Sequence, residues 1–286
     1  MIFIIIFINV YVFSLAQEMP MSQSKHQVPN HLLKPLLLRS RESMVDNGLV
    51  YDPIAAKACL SCKMAPDCLS GDIAQKQLLH VTLTQLCDQQ VSHFLQQYPD
   101  AWIINVGAGG LDTRFYRLDN GRCHWIELDV TENLVWRQRL FHKNERYEHR
   151  CGSVDEMSWL ETLAIPEQAP VLILCEMALL DCTERQVAKF IQTLGRHFVS
   201  AELCMVLAGD LTETKWGGKS LGSDRYAHGF EAPAAQILQW LPWAQWAKAF
   251  SPFDRFCSRW KAWQRWLNKI PMLKHRLTPV LVHIKW

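Results

Sequence analysis

The sequence predicts an α/β fold built on a mostly parallel sheet wound by helices on both faces. Three observations predict it. A strand-like apolar run, "WIINV", leads straight into a glycine-dense turn and a helix start, "GAGGLDTRFYRL". Strand-like and helix-like segments alternate from residue 101 onward, which is the pattern of βαβ units. "PVLILC" at 170–175 is continuously apolar, as a strand covered on both faces must be.

The elements follow in order. Residues 17–40 are polar and proline-punctuated, and "LLKPLLLRSRESM" then reads as helical. "VYDPIAAK" is a turn into a helix, with Pro53 placed near the helix start. Residues 73–97 carry Ile73, Leu78, Leu79, Leu83, Leu86, Val91, Phe94 and Leu95 at helical spacing, and Pro99-Asp100 ends the segment. "AWIINV" is the first strand and "CHWIEL" the second, with "ENLVWRQRLF" the helix after it. "RYEHRC" is the third strand and "PVLILC" the fourth. "TERQVAKFIQTLGRHF" is a helix with Thr183 as its N-cap, and "ELCMVLAGD" is the fifth strand. "PVLVHIKW" closes the sheet as a last strand.

Composition narrows the function. The chain has 286 residues, 49% of them hydrophobic, which suffices for a sizeable core. Its 30 Lys and Arg against 28 Asp and Glu leave a net charge of +2, so no global field argues for nucleic acid. Ten cysteines in a chain of this length do not form a disulfide scaffold. Cys123, Cys175 and Cys204 sit in or beside apolar runs, as small buried hydrophobes do. "CLSCKMAPDC" places Cys59, Cys62 and Cys68 at the spacing C-x2-C-x5-C. A metal there would need a distant fourth ligand such as His80 or Cys87, so we read unligated thiols and no metal site.

Residues 1–20 open on the apolar run "MIFIIIFINVYVFSLA", of signal-peptide length but without a basic n-region and short for a membrane span. It reads as a signal or anchor, or as a misassigned start with Met19 or Met21 as the later one. Residues 21–286 read as a single domain. We expect a cytoplasmic protein, with membrane association as the alternative. Twelve tryptophans are concentrated late in the chain. Between Asp254 and Arg276 there are seven Lys or Arg and one acid, with Trp260, Trp263, Leu267 and Ile270 on one helical face and Lys261, Arg265 and Lys269 on another. Such a stripe packs on the domain, touches a membrane surface, or forms a lid on which a planar substrate stacks.

The glycine turn carries the chemistry. In a doubly wound sheet the ligand lies outside the carboxyl ends of the strands, and glycines let the backbone approach it. A dinucleotide fingerprint needs a third glycine at the sixth position from Gly107, where Asp112 stands. "WIELDV" places Glu127 and Asp129 at the end of the second strand, where a carboxylate accepts ribose hydroxyls. The pattern fits S-adenosylmethionine better than NAD.

"NVGAGGLDTRFYRL" followed by "HWIELDVTENLVWRQRL" resembles the leucine carboxyl methyltransferases and the polyketide, tetracenomycin-type O-methyltransferases. "SRESMVDNGLVYDPIAAKA", "LILCEMALLDCTERQVAKFI", "LAGDL" and "HGFEAPAAQILQWLPW" extend the likeness over roughly residues 39–250. The resemblance implies a class I methyltransferase fold: Rossmann-like, seven-stranded and mostly parallel, with N-terminal helices and a substrate-side helical insertion or lid at 212–276. It implies S-adenosylmethionine as methyl donor and a small-molecule carboxylate or phenol, polyketide-like, as acceptor. By the same likeness Gly107, with Ala108 and Gly109, forms the turn beside the methionine part. Asp129, with Glu127 next to it, binds the ribose. Ser153 aligns with an adenine-contacting Asp, for which Asp155 can substitute. Glu176 ends strand four. Arg41 pairs with the cofactor carboxylate, or Arg39 if the register slips.

The family's arginine on the helix before the glycine strand is absent from "HVTLTQLCD", and its tyrosine after strand four is Asp181 here. A catalytically degenerate methyltransferase fold, serving as a binding or membrane-associated protein, is therefore the alternative function. For a phenol acceptor, His228, Tyr226 and Asp210 are the candidate bases, and Arg225 could orient an acidic substrate. Asp112 and Thr113 read as caps of the helix after the turn, and Arg114 and Arg117 as solvated charges or partners of nearby acids.

Overall fold

The computed structural model describes residues 26–63, 68–107, 111–214, 226–255, 258–267 and 269–286. The apolar run at 1–20, Ala108, Gly109 and Arg225 lie outside the described residues. The elements in chain order are α1 (Asn30–Glu42), α2 (Pro53–Leu60), α3 (Ile73–Gln97), β1 (Trp102–Val106), α4 (Arg114–Leu118), β2 (His124–Asp129), α5 (Thr131–Leu140), β3 (Tyr147–Cys151), β4 (Val171–Cys175), α6 (Glu184–His197), β5 (Glu202–Leu207), α7 (Pro233–Trp240), β6 (Trp246–Phe250), α8 (Ala262–Leu267), α9 (Pro271–Lys274) and β7 (Val280–Lys285). Short 3₁₀ turns span Ser158–Thr162, Ala178–Asp181 and Pro252–Asp254.

The helix ends are built from local chemistry. Asp52 accepts from the Ala55 amide at the head of α2, where Pro53 needs no donor. Asp72 accepts from the Gln75 amide at the head of α3. Thr183 and Gln186 form a reciprocal capping box on α6.

One seven-stranded sheet has the order β3-β2-β1-β4-β5-β7-β6. All neighbours pair in parallel except those of β7, which runs against both β5 and β6. The central strands are buried on both faces, and alternate residues serve two cores. Ile103, Leu172, Leu174, Cys204 and Val206 face α3, α4 and the tryptophan segment. Ile104, Ile173, Met205 and Val282 face α6 and α7. A third cluster packs Leu32, Leu33 and Leu36 of α1 on α2, Leu111 and Phe141, and it takes in Cys59, Cys62 and Cys68.

Two expectations change. β6 has no counterpart among the strands expected from the sequence, because "WAKAF" is half-exposed on a sheet edge and lacks the apolar signal of the inner strands. The basic stretch after Asp254 is not one helix: α8 and α9 are two short pieces, the second begun by Pro271, so the seam of Trp260 to Ile270 is not a continuous face. Among the described residues no helix is long and apolar enough to cross a membrane, and no group of His, Cys, Asp and Glu could hold a metal ion.

Candidate active site

β1 lies where the strand order reverses, between β2 on one side and β4 on the other. Its chain leaves the sheet at Gly107 with φ +59°. A Cβ there would stand 2.5 Å from the Cβ of Ala178, in the turn after β4. Gly107 is thus required twice, for its backbone conformation and for the close approach. Leu111 at the far side of the turn also has positive φ, 55°.

β2 delivers two carboxylates to one face, and the structure gives them different fates. Asp129 ends the strand. Its Oδ1 accepts from the Val130 amide and from Asn133 Nδ2, both at 2.8 Å, and its Oδ2 has no hydrogen bond among the described residues. Burial raises its pKa, with Asn133 and the Val130 amide opposing. His31 in turn contacts Asn133 at 3.3 Å, so α1 helps to fix the acid. Glu127 has no exposed surface. Its oxygens accept from Trp125 Nε1 at 2.9 Å and Asn105 Nδ2 at 3.0 Å, and Arg137 lies 3.9 Å away. Burial pushes its pKa up to about 7. Glu127 is therefore a core carboxyl rather than a second ribose ligand: its bonding capacity is spent inside the sheet.

The acids and arginines around the turn form a buried network. Arg114 is fully buried and bonds Asp88, Asp112 and Glu176 at once. Arg117 reaches Asp88 and Asp52. Arg39 donates to Asp52 at 3.1 Å and to the Leu111 carbonyl at 3.0 Å, on the turn itself. Burial raises the Asp112 pKa, but Arg114, Arg39, Arg117 and Arg137 outweigh it and hold the carboxyl below its ordinary range. His80 sits beside this network with Nε2 unpartnered among the described residues, and burial holds its pKa down at about 3.

Several sequence expectations are corrected by this network. Of the two readings of Arg114 and Arg117, the second holds: both are internal partners of acids. Asp112 accepts from the Arg114 amide, but Thr113 donates to Asp52 instead of capping α4. The two candidate arginines lie differently: Arg41 is exposed and donates to Gln77, whereas Arg39 is buried and donates to the Leu111 carbonyl. Glu176 is committed as well, one oxygen to Arg114 and the other accepting from Thr84 at 2.7 Å. Thr84 stands on the helix that lacks the expected arginine.

Beyond β3 the chain turns at Ser153, whose Oγ accepts from the Glu156 amide at 3.0 Å and whose carbonyl accepts from Trp159 Nε1. Asp155 accepts from Gln186 of α6 at 2.9 Å and is exposed. Each is partly engaged within its own loop: one oxygen of Asp155 and the acceptor side of the Ser153 hydroxyl are taken.

At the carboxyl end of β5 the candidate bases are also engaged. His228 Nδ1 lies 2.8 Å from the Cys182 carbonyl, and its Nε2 accepts from the Ala208 amide at 3.1 Å. A neutral ring with the proton on Nδ1 satisfies both, and burial lowers its pKa. The base expected at His228 is a clip between two loops. Asp210 forms a paired contact with Arg276, which also holds Glu231. Tyr226 packs on the first core. Nearby, an apolar cavity of about 380 Å³ is lined by Leu211, Thr214, Trp263, Trp266, Leu267, Leu273 and Leu277.

Sequence reasoning missed Asn105, Asp88, Arg137 and Glu42. Asn105 had a signal, a single polar residue inside an apolar strand, because a buried amide must have partners. The others sit on helices where nothing local marks their distant partners.

Seven strands in this order, with β7 alone reversed and a glycine turn at the switch point, define the class I methyltransferase fold. Over 90 residues the chain is 33% identical to the tetracenomycin polyketide synthesis O-methyltransferase TcmP of Streptomyces glaucescens; the match covers 31% of this chain and 32% of TcmP. The chain thus matches about a third of the length of that curated relative. A DUF574 family protein from Streptomyces avermitilis superposes with a TM-score of 0.56 at 9% identity, covering 87% of this chain and 96% of that one. No family model matches the sequence.

Proposed function

We propose that this chain is an S-adenosylmethionine-dependent O-methyltransferase acting on a small apolar molecule. The observation that carries the reading is Asp129, a buried carboxylate at the end of β2 with one oxygen uncommitted among the described residues, near Gly107, where no side chain fits at the switch point. The chemistry of this site fits a nucleoside: Asp129 Oδ2 to accept from ribose hydroxyls, and the turn after Gly107 to pass close to the amino-acid end. S-adenosylmethionine would supply an electrophilic methyl group on a sulfonium centre.

The chain's own task is then positioning. The turn is held from below by Arg39 on the Leu111 carbonyl and from the side by the Asp112–Arg114–Glu176 contacts. Fixed flanks of this kind serve orientation, which can supply roughly 7–11 kcal/mol of barrier lowering. The tryptophan-lined cavity beside the start of β7 is the acceptor site in this reading. Its lining offers apolar contact. With both nitrogens of His228 and both oxygens of Asp210 engaged, a carboxylate acceptor fits better than a phenol, since a carboxylate needs no base.

The second reading, a methyltransferase fold without catalysis, is favoured by one observation: Glu176 is closed off by Thr84 and Arg114. Calorimetric titration with S-adenosylmethionine and with NAD, on wild type and Asp129→Ala, tests the cofactor. Transfer of radiolabelled methyl to lysate fractions tests turnover, and alkali-labile label identifies an ester. Absence of S-adenosylmethionine binding overturns the first reading. Binding without transfer to any fraction favours the second.

A further inference from the structure

The C-terminal segment that supplies Trp263, Trp266 and Leu267 to the apolar cavity has little regular structure of its own, with α8 only six residues long. Its position is set by contacts far away in sequence. Arg259 donates twice to Glu42, the last residue of α1, with Nη2 to Oε2 at 3.1 Å. Two further ties are weaker in kind: Gln264 donates to Gln75 at 3.2 Å, and the exposed Lys261 reaches Asp72 at 3.2 Å. Trp260 completes the dock by stacking edge-on against Phe253, with centroids 5.2 Å apart.

Glu42 has no exposed surface. The Leu49 amide and Gln77 also donate to it, at 2.8 and 2.7 Å, but Arg259 is its one salt-bridge partner among the described residues. Burial raises its pKa, and the Arg259, Leu49 and Gln77 bonds outweigh that and lower it. A buried carboxylate with one cation demands that cation in place. The demand is met only when the tryptophan segment is docked. Glu42 also lies one helical turn after Arg39, which holds the glycine turn.

We infer that Arg259 is a positioning residue for the acceptor site: its ion pair with Glu42 latches the tryptophan wall against α1 and so gives the cavity its shape. The inference rests on reading that cavity as the acceptor site. Undocked, the segment still carries Trp263 and Trp266 but presents them to no opposing wall of Leu211, Leu273 and Leu277.

The test uses the full chain and a flat, uncharged probe, 1-naphthol, followed by quenching of tryptophan fluorescence. Wild type should show saturable quenching. Arg259→Met should weaken probe binding at least tenfold, and Arg259→Lys should restore part of it, because a single ammonium replaces one of two donors. The double variant Glu42→Gln/Arg259→Met removes the buried charge together with its partner, so it separates loss of the latch from the destabilisation caused by an unpaired buried carboxylate. It should bind the probe as weakly as Arg259→Met. Titration of the same variants with S-adenosylmethionine should change less than twofold, since Asp129 and Gly107 are untouched.

Probe binding as tight in the double variant as in wild type overturns the latch, as does a wild type that fails to quench saturably. Failure of the methyltransferase reading looks different: no cofactor binding in any variant, with the probe results intact.

Discussion

Gly107 and Ala178 meet so closely that only one of them can carry a Cβ: a methyl group on Gly107 would stand 2.5 Å from that of Ala178. This single approach joins the end of β1 to the turn after β4. Gly107→Ala adds both a steric clash and an L residue at φ +59°. The variant should lose about 2–4 kcal/mol of stability in urea unfolding. Pairing it with Ala178→Gly should relieve the clash but not the backbone strain, so the double variant should lie between Gly107→Ala and wild type.

Asp129→Ala should leave the fold nearly as stable as wild type while weakening S-adenosylmethionine binding roughly 10- to 100-fold in calorimetry, the worth of one charge-assisted contact. Since burial raises the Asp129 pKa, wild-type affinity should fall on acidification sooner than for an ordinary aspartate, because only the carboxylate accepts from both hydroxyls.

Arg114 neutralises three acids from a site with no exposure. Arg114→Met should cost about 3–5 kcal/mol, as removal of one partner from buried ion pairs does. Arg114→Lys should recover little, because one ammonium cannot span Asp88, Asp112 and Glu176. Raising salt to about 1 M should leave the loss unchanged, since a buried network is poorly screened.

Glu127 supplies a pH signature. Its folded pKa is raised from 4.5 to about 7 by burial. Between these values the folded state holds a proton that the unfolded state has released, so the stability it contributes is present at the acid end and lost as pH rises to about 7. Relative to Glu127→Gln, wild type should lose roughly 3 kcal/mol across that window. The pH slope of the difference in thermal unfolding, not its offset, is the readout.

His228 runs the other way. Burial lowers its pKa, so the folded ring stays neutral while the unfolded one takes up a proton near pH 6.5. Its contribution is full above that pH and lost as pH falls. His228→Ala strands the Ala208 amide and the Cys182 carbonyl and should cost about 2 kcal/mol at a pH of about 8. Methyl transfer per folded molecule should be retained, which separates a clip from a base.

The sheet was legible because its inner strands must be apolar on both faces, and "VLILC" and "ELCMVL" announce that without ambiguity. The turn was legible because glycine density after a strand has few uses. What stayed hidden is pairing at long range. Nothing near Glu42 marks it as buried, since its cation lies 217 residues away. Nothing near Glu176 indicates that Thr84 and Arg114 consume its oxygens. His228 resembles a base in sequence because a titratable ring in a loop is also what a clip needs. The helical stripe after Asp254 misleads for a local reason: its spacing runs up to Pro271, which starts a new helix.

β7 lies between β5 and β6, though it comes after both in the chain. During synthesis β5 therefore emerges with one open edge, and β6 with no strand beside it, until the reversed strand arrives. A ribosome stalled before residue 280 should display a sticky half-sheet, a ready target for chaperones.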